Sequence, residues 1–148
     1  RATGAVTVTR NHIDITTWNK EKENQRAGNA EYAVVSGPLV VDEGENIPMW
    51  DNSFVYDRHP RSFAAFAKGR LLLVAVDGRA PERAAGMSLT EIRIFAREMG
   101  CTDVINLDGG GSTTLYVKGE KNNGVVNVPS DGTERPVKSI FYITQDEN

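Results

Sequence analysis

Two short segments of this chain concentrate side chains that could do chemistry. Asp77-Gly78-Arg79 closes one apolar run, and Asn106-Leu107-Asp108 closes another, followed at once by Gly109-Gly110-Gly111-Ser112-Thr113. Together they offer two carboxylates fit to act as nucleophile or base, an amide that can orient a substrate or a water, and a permanently charged cation. Three successive glycines cost more backbone entropy than a plain turn requires. They let the main chain approach a ligand and can aim N–H groups at an anion, with Ser112 and Thr113 adding hydroxyls. The spacing excludes a Walker loop, which would also need a following Lys, and the G-x-G-x-x-G fingerprint. Two further clusters carry cations: Arg58-His59-Pro60-Arg61, and Ser130-Asp131-Gly132-Thr133-Glu134-Arg135-Pro136. Arginine pairs in a fork with phosphate oxygens, so a pocket built from Arg79 with Arg58, Arg61 or Arg135 would suit a phosphodiester. Each feature also has a plainer reading. Asp77-Gly78 makes a simple turn, the arginines are solvated charges, His59 is a structural neighbour of Pro60, and Trp50 pins its own loop rather than stacking on a sugar.

The elements around these motifs decide whether they meet. Residues 62–66 and 70–76 read as strands joined by a hairpin at Ala67-Lys68-Gly69, and Leu71 to Val76, apolar on both faces, reads as a central strand. Ser88-Leu89-Thr90-Glu91 is a capping box opening an amphipathic helix, with Leu89, Ile92, Phe95, Ala96 and Met99 on its apolar side and Gly100 at its end. Residues 104–107 form the next short strand. Strand, helix and strand make one βαβ unit with parallel strands and a right-handed crossover. The carboxyl ends of both strands then share one edge of the sheet, where ligands of open sheets collect. That juxtaposition brings Asp77, Arg79, Asn106, Asp108 and the glycines to one site. Elsewhere, residues 5–18 hold one or two strands, 32–35 and 39–41 an interrupted strand, and 19–29 an exposed loop or short helix. Residues 43–57 form a long irregular connection, and 113–117, 125–128 and 139–144 add antiparallel strands. The fold class expected is α+β: a mixed sheet with one βαβ unit and flanking antiparallel strands.

The 148 residues allow one domain with a real core. At 39% apolar and 25% charged, the composition is that of a soluble globular protein. The longest apolar run falls far short of a membrane span. A net charge of −3 gives no broad basic surface, so nucleic acid is not an expected partner. Cys101 is the one cysteine, so no internal disulfide forms, and its setting before an apolar strand points to a buried thiol.

Read in order, the series Ser36-Gly37-Pro38-Leu39-Val40, Arg58-His59-Pro60-Arg61, Val76-Asp77-Gly78-Arg79, Ala85-Gly86-Met87-Ser88-Leu89, Asn106 to Thr113 and Pro129-Ser130-Asp131-Gly132, with Glu134-Arg135-Pro136, resembles the phosphodiester glycosidase family. The match runs from about Ser36 to Ile143. The resemblance implies hydrolysis of an α-GlcNAc-1-phosphodiester, with a sugar-phosphate or phosphoglycan as partner, and an extracytoplasmic location. The family's aromatic strand motif of the type Asn-Gly-x-Phe-Phe is not found, so residues 1–148 are expected to be a single domain lacking its N-terminal portion.

The mechanism expected for such a site gives Arg79, with Arg58 or Arg61 and the Gly109, Gly110 and Gly111 amides, the phosphate. Asp108 is the nucleophile or water-activating base, with Asp77 second, and Asn106 and Ser112 orient the sugar or the water. Thr113, Ser130, Asp131 and Arg135 complete the expected substrate-binding set. No cofactor or metal is expected. One rival is a metal-assisted phosphodiesterase in which Asp77, Asn106 and Asp108 hold a hard cation. The other is a glycan-binding surface module without turnover.

Overall fold

The computed structural model of the protein describes residues 3–21, 23 and 30–144. A three-stranded sheet in the order β2-β1-β3 is built from β1 (Gly4–Thr9), β2 (His12–Thr17) and β3 (Tyr32–Ser36). A five-stranded sheet in the order β5-β4-β8-β6-β7 is built from β4 (Leu39–Asp42), β5 (Glu45–Asn46), β6 (Arg61–Ala67), β7 (Arg70–Val76) and β8 (Cys101–Asn106). Two α-helices bear on the site, the single turn α1 (Ser53–Tyr56) and α2 (Leu89–Glu98).

The β6–β7 hairpin forms as its turn chemistry dictates. Ala67 pairs with Arg70, and Lys68 and Gly69 both take positive φ (50° and 74°), the combination that matches the twist of a tight hairpin. Alternation along β6 and β8 then divides the core. Phe63, Ala65 and Val104 face Leu89, Ile92 and Ala96 of α2, while Ala64 and Ile105 face Val6 and Ile15 of the smaller sheet and Leu39. The larger sheet is thus the middle of three layers.

The class is α+β, as expected. Its pairing is different: every strand pair is antiparallel. β7 and β8 do run in the same direction, because both are antiparallel to β6, but β6 lies between them. The hairpin commits one edge of β6 to β7, and the chain returning through α2 pairs with the other edge. The buried centre is therefore β6 and β8, whereas β7 is half-buried along its length and pairs with β6 alone among the described residues.

Three other expectations are corrected. After the 3-10 turn Gly110–Ser112, residues 113–144 form no strands among the described residues, only a second 3-10 turn (Asn122–Gly124) and one isolated bridge between Tyr116 and Val125. Most of their apolar residues, Val117, Val126 and Ile140 among them, stay exposed, so the alternation finds no facing layer to bury it. On α2, Phe95 and Met99 are also exposed: Phe95 flanks the buried stripe, and Met99 is the C-cap, where the chain turns away at Gly100. The interrupted strand at 32–41 is two strands in different sheets. Cys101 is buried, as expected, which pushes its thiol pKa up. Most of 19–29 lies outside the described residues.

Candidate active site

Three of the chemistry-bearing motifs meet the backbone of residues 59–61, which leads into β6. Three glycines from separate motifs face that segment. A Cβ on Gly78 would stand 2.6 Å from Pro60 N, one on Gly86 2.4 Å from His59 O, and one on Gly109 2.9 Å from Pro60 O. No side chain fits there, so the glycines exist in part for chain packing. Hydrogen bonds tie the same junction: Met87 N donates to His59 O at 3.0 Å, Gly110 N to Pro60 O at 2.8 Å and Leu107 N to Ser62 O at 2.8 Å. The capping box holds the start of α2 beside them, with Ser88 N donating to Glu91 at 2.9 Å and Glu91 N to Ser88 at 3.1 Å.

An open cavity of about 910 Å³ lies at this junction. Its walls are Ser36 and Gly37, then Trp50, Asn52 and Phe54, then His59 to Arg61, Arg79, and Asn106 to Gly110. The expectation that Arg79 and Asp108 border one opening holds, although their strands are not neighbours. Both are exposed, and neither has a hydrogen-bond or ion-pair partner among the described residues. Arg79 adopts φ +57°, a left-handed conformation uncommon outside glycine, and its guanidinium packs on Gly110, 3.2 Å from where a Cβ would be. Strain of this kind collects at functional sites.

The other arginines are engaged. Arg58 ion-pairs with Glu91, whose carboxyl is held down to about 2 by the Arg58 guanidinium and then by the Ser88 backbone. Arg61 borders the cavity but is only 2% exposed. Its Nε donates to Met87 O at 3.0 Å, and its Nη2 to Phe54 O at 2.7 Å and Asp57 O at 3.1 Å. Its guanidinium also lies 4.8 Å from the centre of the Phe54 ring. Burial pushes the Arg61 pKa down. Arg135 pairs with Asp131, and that pair covers Gly111, whose missing Cβ would meet both side chains. Ser130 donates to Asp131 at 3.4 Å. Ser130, Asp131 and Arg135 do not line the cavity, and neither do Arg58, Asp77, Gly111, Ser112 or Thr113.

The glycine turn is less open to an anion than its sequence suggests. The Gly110 amide is given to Pro60, and the Ser112 and Thr113 amides close the 3-10 turn on Gly109 and Gly110. Asn106 is 3% exposed, and its Nδ2 donates to Gly37 O at 3.0 Å and Leu107 O at 2.9 Å. It fastens the end of β8 to the 36–38 segment.

Asp77 looks away from the opening: its Oδ1 accepts from Val128 N at 2.9 Å and Asn127 Nδ2 at 3.2 Å. Asn127 in turn takes Leu115 N at 2.7 Å and donates to Thr113 O at 3.0 Å, so one amide joins three chain segments. Nothing local marks Asn127 for this role. Among the described residues no three His, Cys, Asp or Glu side chains gather as a metal-binding group. His59 is held below its ordinary pKa by burial and then by Arg61 and Arg79, partly opposed by Asp57. Of the walls, Asn52 and Phe54 carried no expectation. The Asn-Ser pair before a short apolar run was the available signal, since Asn52 caps α1 by accepting Val55 N at 3.2 Å.

A family model described as phosphodiester glycosidase matches residues 1–144. Among curated relatives, the SPbeta prophage-derived uncharacterized protein YomE of Bacillus subtilis (strain 168) is 33% identical over 88 residues. Those residues are 59% of this chain and 13% of that protein. Mouse N-acetylglucosamine-1-phosphodiester alpha-N-acetylglucosaminidase is 38% identical over 64 residues, 43% of this chain and 11% of its own length. Among solved structures, the zebrafish enzyme of that name, its catalytic domain auto-inhibited by pro-peptide, superposes with a TM-score of 0.68 at 20% identity. It covers 87% of this chain and 45% of the zebrafish chain. A hypothetical protein from Synechocystis follows at 0.58 and 24% identity, covering 81% of this chain and 22% of its own. These two likenesses speak for the fold, and the chain spans less than half the length of each of these four proteins.

Proposed function

The chain belongs to the phosphodiester glycosidase family, and we propose that it hydrolyses the glycosidic bond of a sugar-1-phosphodiester of the GlcNAc type, releasing the sugar and a phosphomonoester. One observation carries the proposal: Arg79 and Asp108, opposite in charge and both without a protein partner among the described residues, border the same cavity. A cation and a carboxylate on one cavity, neither neutralised by the other, leave room for an anion at one and a reacting carbon at the other.

In this reading the Arg79 guanidinium takes two phosphate oxygens in a fork and stabilises the charge that develops as the C1–O bond breaks. The leaving phosphomonoester is already a stable anion, so it needs less help from a general acid than a sugar hydroxyl does. Asp108 attacks C1 or removes a proton from the attacking water. Arg61 and Asn106 hold the walls in register. The reaction proceeds without a metal. An extracytoplasmic location is proposed with it, supported by the family resemblance.

The test is incubation with a GlcNAc-1-phosphodiester, with and without EDTA, followed by identification of products. Free GlcNAc and a phosphomonoester in both arms are expected. GlcNAc-1-phosphate, from cleavage on the other side of phosphorus and only without chelator, would establish the metal-assisted phosphodiesterase instead. Binding without product would establish a glycan-binding module. Asp108→Asn should slow turnover by roughly a hundredfold or more, and near-normal turnover would remove Asp108 from the mechanism.

A further inference from the structure

We infer that Trp50 and Phe54 form the wall that selects the sugar, stacking on the C–H face of a pyranose ring in the ligand's glycosyl half. The inference rests on the proposed function, because it starts from a phosphate at Arg79 and a reacting carbon at Asp108. With those two places taken, the rest of the lining is the 36–37 segment, the 59–61 and 106–110 backbone junction, and the stretch holding Trp50, Asn52 and Phe54, which alone offers apolar aromatic side chains to the glycosyl group. The group on the far side of the phosphate can extend through the open mouth.

That wall is aromatic, and its Phe54 end is fixed in place. Trp50 is 37% exposed and Phe54 42%, large apolar surfaces left bare on a cavity that Arg79 and Asp108 also line. Phe54 is not loose: the Arg61 guanidinium covers its ring, and Arg61 also grips the Phe54 and Asp57 carbonyls. Val55, 1% exposed, pins α1 into the core on its other side. Asn52 supplies the polar member. Its Oδ1 is spent on Val55 N, and its Nδ2 has no partner among the described residues, so a donor stands between the two aromatic positions. Aromatic rings flanked by an unspent amide match a ring that is apolar on its face and hydroxylated around its edge. An acyl chain would leave that amide desolvated and unpaired.

The chain has two tryptophans, Trp18 and Trp50, and Trp18 lies outside the cavity lining. Titration with GlcNAc-1-phosphate should therefore change the emission of Trp50, and inorganic phosphate should change it far less. Trp50→Ala should weaken GlcNAc-1-phosphate binding about 3- to 20-fold, leave binding of inorganic phosphate within about twofold, and Trp50→Phe should recover part of the loss. A third probe, a dialkyl phosphodiester, should be nearly indifferent to Trp50→Ala. Equal binding of phosphate and sugar phosphate, an unchanged affinity in Trp50→Ala, or no binding of the sugar phosphate at millimolar concentration would each overturn the inference. So would an equal loss for the dialkyl ester, which would make the wall merely apolar. Trp50-dependent sugar-phosphate binding without hydrolysis would uphold the inference while refuting the hydrolase. Hydrolysis indifferent to Trp50→Ala would do the reverse.

Discussion

Replacing Arg61 and Arg79 in turn by Lys separates two arginines that look alike in the sequence. Arg61 is buried, gives three N–H groups to backbone carbonyls of three different residues and covers the Phe54 ring. Lysine keeps the charge but can satisfy about one of those carbonyls from one point. Losing two charged-donor bonds at roughly 1.5–3 kcal/mol each, with about 0.5–2 kcal/mol from the ring contact, gives a gross cost near 4–8 kcal/mol. Relaxation of α1 toward solvent should reduce this to about 3–5 kcal/mol, a large share of the roughly 5–15 kcal/mol that keeps a domain folded. At roughly 2–4 °C per kcal/mol for a chain of this size, thermal melting should fall by about 6–20 °C. Arg79 is exposed and unpaired, so Arg79→Lys should stay within about 0.5 kcal/mol of the parent. Its effect should appear in binding, where losing the fork weakens GlcNAc-1-phosphate by about tenfold. The assay is a thermal melt of each variant with a titration of the sugar phosphate on the folded protein. If Arg61→Lys melts within about 2 °C of the parent and Arg79→Lys binds as well as the parent, the roles assigned to the two are refuted.

Gly86→Ala places a Cβ 2.4 Å from the His59 carbonyl on a backbone at φ +90°, so it should cost about 3 kcal/mol or more, read by urea unfolding. Asp77→Ala should free the 127–128 anchor, giving faster amide exchange at Val128 and easier proteolysis after Arg135, with stability lowered by about 1–3 kcal/mol. His59 has a folded pKa below its unfolded value near 6.5, so the unfolded chain takes up a proton first as pH falls. Stability should therefore decline from about pH 6.5 downward to the folded pKa, and His59→Gln should flatten that part of the pH–stability curve.

Much of the local structure was legible because its causes are local. The capping box at Ser88 and Glu91 forms as its spacing demands, the Lys68-Gly69 turn makes the hairpin, and β7 has the bounds its apolar run suggests. The meeting of Arg79 and Asp108 could also be anticipated, since two strands running the same way end on one edge whether or not a third lies between them. Partnership could not be read in this way. Arg58, Arg61, Arg79 and Arg135 are chemically the same group, and what distinguishes them is a carboxylate or carbonyl brought close by folding: Glu91 lies 33 residues from Arg58, and Met87 lies 26 from Arg61. Asp77 has the chemistry of a catalytic carboxylate, and folding gives one of its oxygens to Val128, 51 residues on. Sequence determined the residues, the turns and the edge they share. Tertiary structure decided which charges are spent, because a hydrogen bond extends only about 3 Å and depends on the whole path that brings its two ends together.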